Sequence, residues 1–220
     1  FCLSRGLGDV YKRQAQHGVI PAALLAARLS KRRRVQHAAM RFLISKRICS
    51  VHNMDTHPGY GRWFGVENDP LNHVLFAQAI VTAYAALEDL KLEIRASRDK
   101  PSKLPNGEWN PAVKEDWETR ARAAGIEKGR KQVWLARGQK SRVERARPYP
   151  SGETLSWTGG QNRDRKIDLF EAIAHADWLR DKAGAHALSK MSSSIKMLDV
   201  DNIQGLVRRL ILETTGLLPS

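Results

Sequence analysis

Arg180, Asp181 and His186 are the residues of this chain whose types and spacing best suit chemistry. A His can take a proton from a ribose 2′-hydroxyl or return one to a leaving oxygen. An Arg can stabilise the negative charge that builds on phosphate oxygens, because its planar fork matches that group. Together they are parts for cleaving an RNA phosphodiester without a metal. The spacing leaves a second reading open. Six positions correspond to about 240° of helix rotation, which splays two side chains on a straight helix. Gly184 offers a place for the helix to end or bend, and a two-fold interface would let each chain supply both groups. In the plainer reading His186 is a cation at a helix C-terminus and Arg180 makes an ordinary surface ion pair. Arg-Asp pairs begin at Arg98, Arg163 and Arg180, and only the last is followed by a His within seven positions.

Other chemistries find little support. His175 precedes His186 by eleven positions, about 20° apart around one helix. That is not a metal-ligand spacing, and no Cys or carboxylate pair sits nearby in sequence, so no metal and no cofactor are expected. Gly159-Gly160 has neither the Lys nor the spacing of a phosphate-binding loop, and no Gly-x-Ser-x-Gly elbow exists. A single credible thiol, Cys49, without a nucleophile motif reads as structural.

Helices must carry these groups. Asp69-Pro70 is a cap followed by Pro at the first helical position. From there Val74, Leu75, Ile80, Val81, Tyr84, Leu87, Leu90 and Ile94 recur at helical spacing, predicting one long helix that ends near Ser97. Asn110-Pro111 repeats the signature, with Val113, Trp117 and Ala121 on one face and Gly125 as the stop. A third helix is predicted from about Arg165, through Ile173 and Trp178. A fourth begins near Asp199 or Asp201 and stops at Gly216. Four helices without a strand of comparable strength predict an all-α bundle.

The stretch Ala83 to Arg95, with Glu88 in it, and the later Trp178-Leu179-Arg180-Asp181 to His186 together resemble the HEPN superfamily (higher eukaryotes and prokaryotes nucleotide-binding), closest to its Apea-like branch. Its signature is Arg, then Asn, Asp or His, then a short spacer and His, matched here by Arg180, Asp181 and His186. The resemblance covers roughly residues 66 to 216. It implies a four-helix domain that forms a homodimer and often acts as a metal-independent endoribonuclease, in toxin–antitoxin, phage-defence or RNA-processing systems. It also implies a possible non-catalytic fate, an RNA-binding or protein-interaction module on the same scaffold. Glu88, mid-helix among apolar neighbours, has two readings: a group that orients Arg180 or a facing backbone amide, or a solvent-facing carboxylate.

The chain has 220 residues and a formal charge of +14, which raises the question of where the charge lies. The segment Ser4-Arg-Gly-Leu-Gly-Asp-Val-Tyr-Lys-Arg-Gln14 resembles a translated sequencing adapter, codon for codon, so residues 1–14 are set aside as an artefact. Residues 15–57 hold eight Lys/Arg against Asp55 alone. Residues 15–65 read as a basic leader, disordered or untranslated, with one short helical pattern around Ala22 to Met40. The run Lys31 to Arg34 in it has phosphate contact as its alternative reading. Residues 58–220 carry only +5, while the stretch 126–165 carries +6. That stretch, rich in Arg, Lys, Gly and Pro, is predicted to be mainly a long basic loop inserted in the 66–216 domain, with a short extended piece at Gln132 to Ala136. Its Arg142, Arg145 and Arg147 are the expected grip on an RNA backbone, and its Trp134 and Trp157 either stack on bases or pack the loop. No apolar run approaches the roughly 20 residues that span a bilayer. With so few cysteines, a reducing cytoplasm is the expected setting.

Overall fold

Pro70 opens a 20-residue helix whose apolar positions go inward on nearly every side. The computed structural model describes residues 26, 28, 31–55, 70–138, 140–149, 151–155, 162–184 and 194–218. Its elements run α1 (Arg33–Asp55), α2 (Pro70–Asp89), α3 (Pro111–Ala123), β1 (Lys131–Trp134), α4 (Arg142–Ala146), β2 (Glu153–Thr154), β3 (Arg165–Asp168), α5 (Leu169–Gly184) and α6 (Met197–Thr214). Helix α2 is central. Its Phe76, Ala79, Ile80, Ala83, Tyr84, Ala86 and Leu87 are all buried, because α1, α5 and α6 pack along it. A helix that is apolar all round belongs in the middle of a fold.

The helix ends follow their local chemistry. Asn110 caps α3, its side chain accepting from the Ala112 amide. At the other end Gly125 takes φ +85°, and the Ile126 amide reaches back to the Ala121 carbonyl at 2.9 Å. Together these form the left-handed glycine closure that satisfies late carbonyls. Helix α2 stops at Asp89, short of the expected Ser97. Lys91 adopts φ +59°, and the Leu92 amide bonds the Leu87 carbonyl at 2.8 Å. The chain turns there because Leu92 is itself wholly buried, so its apolar character belongs to the core and not to a longer helix.

The protein is mainly helical, but the expected basic loop is a small sheet. Strands β1 and β2 flank β3, both antiparallel, with Gln132 opposite Ile167 and Glu153 opposite Lys166. In β1, Gln132 and Trp134 face inward while Lys131 and Val133 face outward, the two-residue alternation of a half-buried strand. The helix expected from Arg165 is therefore displaced: residues 165–168 are strand. Asp168 accepts from the Phe170 amide at 2.9 Å, the contact a helix start requires, and α5 begins at Leu169.

In the leader, the helical pattern read around Ala22 to Met40 overlaps a longer helix. Residues 33–55 form α1, with Val35, Ala38, Ser45 and Cys49 buried. Ser45 donates to the Ala79 carbonyl of α2 at 2.8 Å and accepts from Gln204 of α6 at 2.8 Å. Of the other expectations, the segment 1–14 and residues Trp157 and His186 lie outside the described residues.

Candidate functional site

Helix α5 buries Phe170, Ala172, Ile173, Ala176 and Leu179. Its flank carrying Asp177, Arg180 and Asp181 runs along α2, so Arg180 reaches across. Its Nη1 donates to Glu88 Oε1 at 3.1 Å. Its Nη2 faces Asp177 Oδ1 at 2.9 Å and Asp181 Oδ1 at 2.8 Å. The guanidinium also lies 4.5 Å from the centroid of the Tyr84 ring, within cation–π range. The Tyr84 hydroxyl bonds Asp177 in turn. A third of the Arg180 side chain remains exposed, enough to meet a ligand while being held on the other sides.

Three carboxylates face one guanidinium at this site. Burial alone would lower the Arg180 pKa, but Asp177 and Asp181 outweigh it, and the group stands above its ordinary value. Burial pushes the Asp177 carboxyl up, and the Tyr84 hydrogen bond and Arg180 pull it partly back. Burial, aided by Asp177, pushes the Tyr84 hydroxyl far up, so it stays neutral and donates. Three of the four residues singled out in the sequence thus meet: Glu88, Arg180 and Asp181. Two more complete the cluster and were missed. Asp177 stands three residues before Arg180 and Tyr84 four before Glu88, both neighbours on a helix surface; that spacing was the available signal.

No family model, curated protein or solved structure matches the chain.

The predicted phosphate-binding arginines divide. Arg142 and Arg145 are exposed on α4, and Arg145 donates to the Lys140 carbonyl at 2.6 Å. Arg147 is half-buried and sits 5.6 Å from the Trp178 ring centroid. Burial pushes its pKa down, against the pull of Glu171 and Asp177. It packs toward α5, beside the Arg180 cluster. Much of the remaining basic charge has a structural partner. Glu127 pairs with Arg130 at 3.0 Å, Asp164 with Arg137 at 3.3 Å and Glu153 with Lys131 at 3.9 Å, while Glu144 takes both ends of Arg163. The acids at 144 and 164 are almost wholly buried, so these pairs hold the sheet together.

Trp134 is fully buried, packed edge-on to Tyr149 and His175; it is a packing residue, not a stacking platform. His175 is enclosed by Trp134, Tyr149 and Trp178 at 5.2–5.7 Å between ring centroids. Burial, reinforced by Arg147, drives its pKa down to about 3, so it is neutral at physiological pH. Among the described residues no group of His, Cys, Asp and Glu is arranged to hold a metal ion, and no helix is long and apolar enough to cross a membrane.

Proposed function

We propose that this chain is an HEPN-like, metal-independent endoribonuclease working as a homodimer. What supports the reading above all is the Glu88–Arg180 pair, 3.1 Å apart, which ties the two helical stretches that carry the resemblance into one site. Arg180, held by carboxylates from both helices, would face the scissile phosphate and take up charge as it develops. His186 follows on the same chain segment. It would accept the proton of the 2′-hydroxyl as that oxygen attacks phosphorus, or protonate the departing 5′-oxygen. The products would be a 2′,3′-cyclic phosphate and a free 5′-hydroxyl, and no oxidant or cofactor enters. A cognate antitoxin or defence partner belongs to the same proposal, as does a cytoplasmic setting.

The deciding measurement is cleavage of RNA in excess EDTA. The wild-type protein should cleave. His186→Ala should lose about 10²–10⁴-fold and Arg180→Ala about 10²–10³-fold. Loss of activity in EDTA, or equal activity of His186→Ala and wild type, removes the mechanism.

One observation favours the second reading, a non-catalytic RNA-binding or interaction module. Three carboxylates share the Arg180 guanidinium, and they leave little positive field for a phosphate. In that reading the exposed arginines of α4 do the binding. Arg142→Gln with Arg145→Gln should then weaken RNA binding and flatten its salt dependence by about one to two phosphate equivalents. An unchanged slope removes α4 from the RNA surface under either reading.

A further inference from the structure

Away from Arg180, an open groove of about 330 Å3 lies where the N-terminal end of α1 meets the C-terminal ends of α2, α3 and α6. Its floor is apolar, made by Val35, Leu90 and Ala124, and its rim is Arg32, Arg33 and Arg34, with Thr214 at one side. The volume is at the lower end of what small-molecule sites use, roughly 300–1,000 Å3, and the mixture of apolar surface with a few convergent polar groups is typical of them.

The cations exceed what the fold needs. Helix C-termini each carry about half a negative charge, and three of them gather here. Arg28 donates to the Thr215 and Gly216 carbonyls at 2.7 and 2.6 Å, and Arg32 to the Thr214 carbonyl at 2.6 Å. Both of those arginines are taken up by the end of α6. Asp89, next to Leu90, is taken by Arg41 at 2.6 Å. No carboxylate lines the groove, and among the described residues neither Arg33 nor Arg34 has a hydrogen bond or ion pair. Two surplus guanidinium groups therefore stand over an apolar floor.

We propose that this groove binds an amphipathic organic anion. A phosphate-monoester, sulfate or carboxylate head lies against Arg33 and Arg34, and an alkyl or aryl body lies on Val35, Leu90 and Ala124. The arginine fork matches such heads with paired, charge-assisted hydrogen bonds. The floor rewards an apolar body that a bare inorganic anion lacks. The ligand class is thus set by the pairing of head and body, and it is independent of the RNA chemistry assigned to Arg180.

Octyl phosphate, below its micellar range, is the probe, titrated calorimetrically against the full chain. Saturable one-site binding is expected, with inorganic phosphate and octanol each at least about tenfold weaker. The double variant Arg33→Gln/Arg34→Gln, and separately Ala124→Phe, which fills the floor, should each weaken octyl phosphate at least about tenfold while melting within a few degrees of wild type. Ala124 has φ −84° and ψ 0°, right-handed backbone that Phe also adopts. The proposal falls if octyl phosphate does not saturate, if inorganic phosphate binds as tightly, or if neither variant changes binding. A double variant that melts lower yet binds equally well would make the arginines simple counter-charges for the helix ends.

Discussion

At His175 a titratable ring sits where no water reaches it. Its exposure is zero, and among the described residues neither ring nitrogen has a hydrogen-bond partner. Its pKa is lowered from 6.5 to about 3 by burial. The sign follows from linkage. Below about pH 6.5 the unfolded chain binds this proton and the folded chain does not, so stability is full above that pH. As pH falls toward 3 it is lost, at up to about 1.4 kcal/mol per pH unit. Asp199, buried and raised to about 6, acts oppositely between about pH 6 and 3.8, which masks the effect in wild type. The difference between wild type and His175→Phe removes that common contribution. The variant should be within about 1 kcal/mol of wild type at pH 7, since an apolar ring replaces an unbonded polar one. Its relative stability should then rise steadily from pH 6.5 to 4.5, read by denaturant melts at each pH. A difference that stays constant with pH would mean the buried imidazole is solvated or bonded. The Arg180 cluster belongs to the same scale. Its ion pairs are partly exposed and each is worth only about 0.2–1 kcal/mol, so their chief effect is to fix where the guanidinium points.

The element that most changed between sequence and structure is the stretch 126–165, and Gly152 shows what holds it. A Cβ there would fall well inside van der Waals contact of the Lys166 carbonyl oxygen and close on the Ile167 side chain. Backbone cannot yield as a flexible side chain can. Gly152→Ala should therefore push β2 off β3 and cost about 1–3 kcal/mol. Amide exchange should speed up at Leu155, whose amide bonds the Asp164 carbonyl at 3.2 Å, while the α2 amides keep their relative order. Unchanged exchange at Leu155 would show that β2 pairs weakly in any case. Beyond the extended piece at Gln132 to Ala136, the sheet was illegible for a physical reason. Its strands are four residues or fewer, too short for alternation to register. Sequence showed the charges but not that Glu144 and Asp164 would bury against Arg163 and Arg137. The ends of α3 were legible because Asn110-Pro111 and Gly125 act locally. The end of α2 was not, because Leu92 and Ile94 keep an apolar rhythm after the helix has stopped. In the candidate site, Glu88, Arg180 and Asp181 were readable by resemblance and Asp177 by spacing. Arg147 against Trp178 is tertiary and left no trace in the order of residues.

At the scale of the molecule the question is where the folding unit begins. The sequence places a boundary near residue 66, yet α1 supplies buried Val35, Ala38 and Cys49 and a polar bridge from Ser45 to both α2 and α6. Burying each larger apolar side chain is worth about 1.5–3 kcal/mol, against a total stability of about 5–15 kcal/mol for a domain. Removing α1 would also bare the apolar faces of α2 and α6 to water. These losses together are of the order of the whole stability. A chain starting at residue 66 should therefore lack a cooperative thermal transition or aggregate, whereas one starting at residue 26 should melt as the full chain does. Ser45→Ala in the full chain gives the graded version. It should cost about 1–3 kcal/mol by leaving the Gln204 amide short of a partner. If residues 66–220 melt cooperatively at the full chain's temperature, α1 is an appendage. The groove at its N-terminal end would then lose its structural basis, while the Arg180 cluster, built from α2 and α5 alone, would stand.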